Sequence, residues 1–352
     1  VKALRFIRIE LSQEACVSAL QFADRECVFA ENGWLRPVPV PRVGPAGKEA
    51  QMKKSNSFGD LKQAFGVGLA VLVIFCGLAA RVSAEPRENV VKIVGQIQRA
   101  DYEGKRAELM RLFEELEPFA KNEELGSRAR YWRGFAMWRR AMNGYNDSTE
   151  RAEIQEDLER AVEEFVESAK QGNGYVEAKI GEFSCVTFLA YGVEMKDAER
   201  RNALIGRRSE LLKELEAKAA ENPRMAWVLG SSLWYTPEQF GGGQENAMVM
   251  YEKGLVAARK ERTEAADALD PAWGEAELRM NLAWSNLNRK TPDLAAAEKN
   301  GQLALEIVPY WHYMKDVLMA QIMEAKKKEK ISGGGNGASR LWRENALRLL
   351  RA

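Results

Sequence analysis

Residues Asn222 to Ala258 read NPRMAWVLGSSLWYTPEQFGGGQENAMVMYEKGLVAA, and their pattern decides the fold. Two apolar segments with helical period stand on either side of a Pro/Gly-rich break. The first holds Leu229-Gly230 with Leu233 three residues on, flanked by Trp227 and Trp234. The second holds Ala247, then Tyr251 four residues later, then Gly254 three after that. Large and small residues alternating at helical spacing let two antiparallel helices interlock, with Gly230 and Gly254 where the backbones come closest.

The same alternation recurs on both sides of this pair. Towards the N-terminus, ARYWRGFAMWRRAM carries Trp132, Phe135-Ala136 and Trp138, and a helix starting near Thr149 carries Ala161, Phe165 and Ser168 at the second-helix spacing. Between these and the opening pair, Ile180-Gly181 with Phe183 and Phe188 predicts one helix, and a Leu/Ala-rich charged stretch over 197–220 predicts another. Beyond the pair, Leu282-Ala283 and then Ala297, Gly301, Ala304 and Pro309 predict one more pair, with a further helix from Trp311 to Lys328. Helical stretches also precede the array at 89–100 and 103–117, and strand signals are nearly absent. The expectation is an all-α protein.

The quoted pair resembles the tetratricopeptide repeat (TPR), a helix-turn-helix unit that stacks into a solenoid. The Ala297–Gly301–Ala304–Pro309 spacing is the nearest approach to that repeat in the chain. The resemblance implies a TPR-like domain over 85–328, built from units that bury their apolar faces only by stacking on neighbours. It implies an architecture and a binding role, not a reaction. The Phe-Gly-Gly turn between two such helices is also similar to loops in periplasmic TPR-like proteins, such as the T component of tripartite (TRAP) transporters. That similarity implies a ligand- or partner-binding accessory.

The termini read differently. Residues 1–51 include the Pro/Gly-rich RPVPVPRVGPAG and carry no helical period across residue 51, as expected of a disordered or non-native upstream extension. At Met52 the pattern changes. Lys53, Lys54 and Lys62 precede the uncharged run Ala64–Ala80, and Val82-Ser83-Ala84 stands just before Glu85. Basic, apolar and small-residue regions in that order make 52–84 a secretory signal peptide, with an uncleaved inner-membrane anchor through 64–80 as the alternative. The expected location is periplasmic or secreted. At the other end, ISGGGNGAS is a flexible linker that begins the 329–352 tail, and RLWRENALRLLRA is a short amphipathic helix.

Composition removes several function classes. Lys+Arg 52 against Asp+Glu 51 leaves no net field to attract nucleic acid. His312 is the one histidine, so a multi-histidine metal site is excluded, and no metal or other cofactor is expected. No nucleophile lies beside His312 in the sequence, so no catalytic set is assigned and no enzyme is expected. Cys185 is the one cysteine beyond the signal-like run, and its apolar neighbours make it a buried small hydrophobe. What remains is a non-enzymatic scaffold for a protein or peptide partner. The alternative is a small-molecule-binding accessory with a pocket near Phe240–Gly243. Candidate groove or loop residues are Arg139, Trp234, Tyr235, Phe240, Gly241, Gly242, Asn281 and Asn288. The tryptophans of the first helices, Trp132, Trp138, Trp227, Trp234 and Trp284, line a groove on one reading and fill an interhelix core on the other.

Overall fold

A computed structural model describes residues 86–193, 197–262 and 267–331. The expectations for 1–51, for the 52–84 signal or anchor and for the amphipathic tail lie outside these residues. Every element among them is helical, so the fold is all-α. In chain order the helices are α1 (86–102), α2 (Arg106–Glu115), α3 (Gly126–Asn146), α4 (Arg151–Gln171), α5 (Val176–Tyr191) and α6 (Ala198–Lys218). They continue with α7 (Pro223–Tyr235), α8 (Gln244–Glu261), α9 (Glu275–Asn288), α10 (Leu294–Ile307) and α11 (312–331), which opens with a π-turn over Tyr313–Leu318. Among the described residues no helix is long and apolar enough to cross a membrane.

The boundaries follow local chemistry. Asn222 accepts hydrogen bonds from the amides of Arg224 and Met225, and Pro223 occupies the first turn of α7, where no amide is needed. Asp197 and Asp293 cap α6 and α10 in the same way. Ser127, inside the first turn of α3, caps nothing. Its hydroxyl donates to the Ser168 carbonyl on α4, while Asn122 accepts from the amides of Glu124 and Leu125.

From α2 to α6 each helix packs on the next, and so do α7 to α10 and α10 on the π-turn of α11, while the two runs join where α7 packs on α5. Glycine sets the closest approaches. Phe165 of α4, fully buried, lies between Gly134 of α3 and Gly181 of α5, where a Cβ at either glycine would strike its ring. Tyr251 of α8 fills the space above Gly230 of α7 in the same manner. Gly254 faces Ala226 and Leu278, and a Cβ there would fall 2.8 Å from each. Gly230 and Gly254 are the small positions read from the quoted stretch; aromatic rings fill the notches at Gly134, Gly181 and Gly230, and Leu278 with Ala226 fills the one at Gly254.

Two features go beyond stacking in order. Tyr102, at the end of α1, donates to Glu277 of α9 at 2.5 Å and packs edge-on against Trp311 at 5.1 Å, so the first helix meets the last ones. The second is the irregular strap 267–274, sequence DALDPAWG, which crosses the first helices of several pairs. The Leu269 carbonyl accepts from the Trp132 indole at 2.8 Å, Asp270 pairs with Arg128 and accepts from Tyr175, and the Trp273 indole donates to the Tyr131 hydroxyl at 3.1 Å.

Candidate functional site

The tryptophans divide according to that strap. Trp273 packs against Phe135, Trp138 and Trp227 with ring centroids 5.6–5.8 Å apart. Trp132, Trp138 and Trp227 are buried beneath it and belong to the core. Trp234 and Trp284 are partly buried and stack edge-on against each other at 5.2 Å. A protein segment therefore covers the inner aromatic surface that the first helices would otherwise present.

Arg139 also lies inside. Its Nε donates to Asp101 of α1 at 2.7 Å, with both residues buried, and Asn143 donates to the same carboxylate. Beside this pair Glu277 accepts from Tyr102 and from the Gly274 amide. Burial pushes the Glu277 carboxyl above its ordinary range, against the pull of Arg139, and pushes the Tyr102 phenol well up. Every member of the cluster spends its hydrogen bonds on another part of the fold, which makes it a clasp between α1, α3 and α9.

The Phe240–Gly243 turn is closed on itself. The amides of Gly241, Gly242 and Gly243 donate to Glu238, Pro237 and Leu233, and the Asn246 side chain donates to the Gly242 carbonyl. Gly241 (φ 81°) and Gly243 (φ 100°) take left-handed backbone that glycine adopts without strain, and a Cβ on Gly242 would strike Thr236. The turn accounts for all three glycines and leaves none of these amides for an anion.

The open aromatic surface is made by tyrosines. Tyr235, at the end of α7, keeps 77% of its surface accessible. The mass of protein around it nevertheless pushes its phenol up, with a further rise from Tyr145. Burial raises the Tyr313 phenol of α11, with a further rise from Tyr235. Asn281 donates to Ser231 at 3.0 Å on the same side of α7, while Asn288 is exposed and donates to the Trp284 carbonyl. Of the candidates named from the sequence, the structure thus brings Trp234, Tyr235 and Asn281 together. It buries Arg139 in the clasp, keeps Phe240 half-buried and uses the glycines for a turn.

Tyr145 and Phe188 carry no site signal in the sequence, yet they wall a cleft of about 270 Å³ with Thr149, Arg151, Ile154 and Val193. The two rings meet edge-on at 5.3 Å. Ser148, at φ 58°, is a non-glycine residue in left-handed backbone at the α3–α4 turn and forms the lip of the cleft. In the sequence Asn143-Gly144-Tyr145-Asn146-Asp147 reads as a turn cluster, but the structure carries α3 on to Asn146 and turns only at Asp147–Ser148, which leaves Tyr145 on the last turn of the helix.

His312 bonds Asp316 at 2.8 Å with both side chains half exposed. Cys185 is fully buried in α5, and that burial pushes its thiol well up. Among the described residues no group of three His, Cys, Asp or Glu side chains is arranged to hold a metal. The chain matches no family model, no curated protein and no solved structure.

Proposed function

We propose that this chain is a non-catalytic, tetratricopeptide-like helical scaffold that binds a protein or peptide segment on the surface of Tyr145, Tyr235 and Tyr313. The observation that carries this reading is Tyr235, the most exposed large hydrophobic residue among those described, with Tyr145 also exposed. Tyrosine offers broad contact area with only two side-chain torsions to freeze, together with a hydroxyl for a backbone group of the partner. The strap covers Trp132, Trp138 and Trp227, which favours this surface over the inner tryptophans. The closed glycine turn favours the same location over a pocket at Phe240. Export, read from the 52–84 segment, directs the search to periplasmic partners.

The test is a photo-crosslinking amino acid placed at Tyr235 in cells, with Val256, exposed on the outer side of α8, as the control position. A discrete protein adduct at 235 and none at 256 is the expected result. No adduct at 235, or the same adducts at both positions, rejects the surface.

A further inference from the structure

Arginines in this chain are matched to carboxylates with few exceptions. Among the described residues, Arg87, Arg99, Arg106, Arg111, Arg128 and Arg130 each have an acidic oxygen within 4.0 Å. The same holds for every later described arginine apart from Arg151, Arg201 and Arg208. All three lie on the two helices that pack against α5, Arg151 on α4 and Arg201 and Arg208 on α6.

Arg151 lines the cleft beside Tyr145 and Phe188. Arg208 of α6 lies over the rings of Phe183 and Tyr191, 5.2 and 5.9 Å from their centroids, and donates to Ser232 of α7 at 3.0 Å. Its Nε is buried with no acceptor. Tyr191 is exposed and stands one turn beyond Phe188 on α5. Arg201 is exposed and precedes Arg208 by seven residues, which places it on the same face of α6, two turns towards its N-terminus. Asp147 and Glu150 stand close by in sequence, at the α3–α4 turn, but neither lines the cleft.

Arg151 set beside the Tyr145 and Phe188 rings, with Arg201 and Arg208 on the neighbouring helix, forms a surface of definite chemistry. The rings supply an apolar seat, and the guanidiniums, without a carboxylate in the fold, supply donors for an incoming acid. We infer that the Tyr145–Phe188 cleft with Arg151, Arg201 and Arg208 binds an acidic peptide segment of a partner protein, with an aromatic or large aliphatic side chain in the cleft and carboxylates on the arginines. The inference rests on the peptide-binding reading above and names the chemistry of its partner. The partner's acidic residues supply charge complementarity, which governs encounter rate and specificity as well as affinity.

The experiment uses the full chain and a fluorescein-labelled peptide, Gly-Ser-Asp-Glu-Phe-Asp-Glu-Gly-Ser, read by anisotropy. Three comparison probes are the same peptide with Lys at each acidic position, the same peptide with Ser for Phe, and vesicles of phosphatidylglycerol. The expected result is that the acidic Phe peptide binds and the other probes do not. Arg151→Glu should weaken binding about tenfold, the loss of one charge-assisted pair. Tyr145→Ala should weaken it too, and Arg151→Glu should gain affinity for the Lys peptide. Arg208→Glu belongs to the same series, but Arg151 is exposed, so its variant keeps the test valid if the Arg208 variant fails to fold. No binding of the acidic peptide, binding unchanged in Arg151→Glu, or arginine-dependent binding of the vesicles alone overturns the inference. If the Tyr235 crosslink captures a partner while the acidic peptide fails, only the partner chemistry is wrong. If both fail, the surface itself is wrong.

Discussion

Replacing Gly181 with alanine tests whether aromatic rings in glycine notches hold this helical stack together. Gly181 lies on α5 opposite Phe165 of α4, and an added Cβ would sit no more than 2.6 Å from three ring carbons. Ordinary carbon contacts need roughly 3.5–4.0 Å, so the ring would have to retreat by about an ångström. It has nowhere to go, because its other edge is seated against Gly134 of α3, where a Cβ would fall 2.9 Å away. Tyr131 and Trp138 close the remaining sides with centroids at 5.8 and 6.1 Å. Overpacking of this kind costs about 1–3 kcal/mol, and a trapped ring belongs near the upper end. Alanine returns about 1 kcal/mol of helix propensity, leaving a net loss of about 2 kcal/mol. Gly206, on α6, is the internal control, since a Cβ there meets nothing within 4 Å. Gly206→Ala should gain up to about 1 kcal/mol. For a domain of this size the two variants should move Tm in opposite directions, down by about 4–8 °C and up by about 2–4 °C. Circular dichroism at 222 nm with thermal and urea unfolding reads both. Phe165→Leu, which empties part of the notch, should make Gly181→Ala less costly in a double-mutant cycle. A Gly181→Ala protein as stable as wild type, or an equal penalty with and without Phe165→Leu, would refute the reasoning.

Trp273→Ala should cost about 3–5 kcal/mol, because it empties the space between Phe135, Trp138 and Trp227 and leaves the strap without its anchor. Urea unfolding measures the loss, and unchanged stability would show that the strap is not part of the core. Two carboxylates should give pH dependences of opposite sign. Glu277 is raised above its ordinary 4.5 chiefly by burial, so its share of stability is complete below that pH and is lost as pH rises through the folded value. Glu214 is lowered to about 2, first by Lys179 and then by Lys218, so its share is present above 4.5 and is lost as pH falls towards 2. Difference curves of Tm against pH for Glu277→Gln and Glu214→Gln should therefore slope in opposite directions, and parallel curves would contradict the assignment. Cys185, buried and held as the thiol, should resist Ellman's reagent in the native protein and react once urea unfolds it. Peptide mapping that found Cys185 modified without denaturant would count against its burial.

Residue order by itself determined the all-α class, the division into helix pairs and the notches at Gly181, Gly230, Gly254 and Gly301. These depend on spacing along one helix, and period 3.6 with small residues opposite large ones is a local property that a sequence displays directly. The strap, the clasp and the choice of which aromatic rings remain open were decided only in the tertiary structure. DALDPAWG has no period, so nothing local indicates that Leu269 and Trp273 will cover Trp132, Trp138 and Trp227. Arg139 looks like any arginine on an aromatic helix until Asp101, on a different helix, arrives to pair with it. The Tyr145–Phe188 cleft joins two helices across an intervening one, and its unmatched arginines are recognisable only once every other ion pair has been made. Exposure and charge matching are sums over the whole fold, and a sum over neighbours distant in sequence is not written in any one stretch.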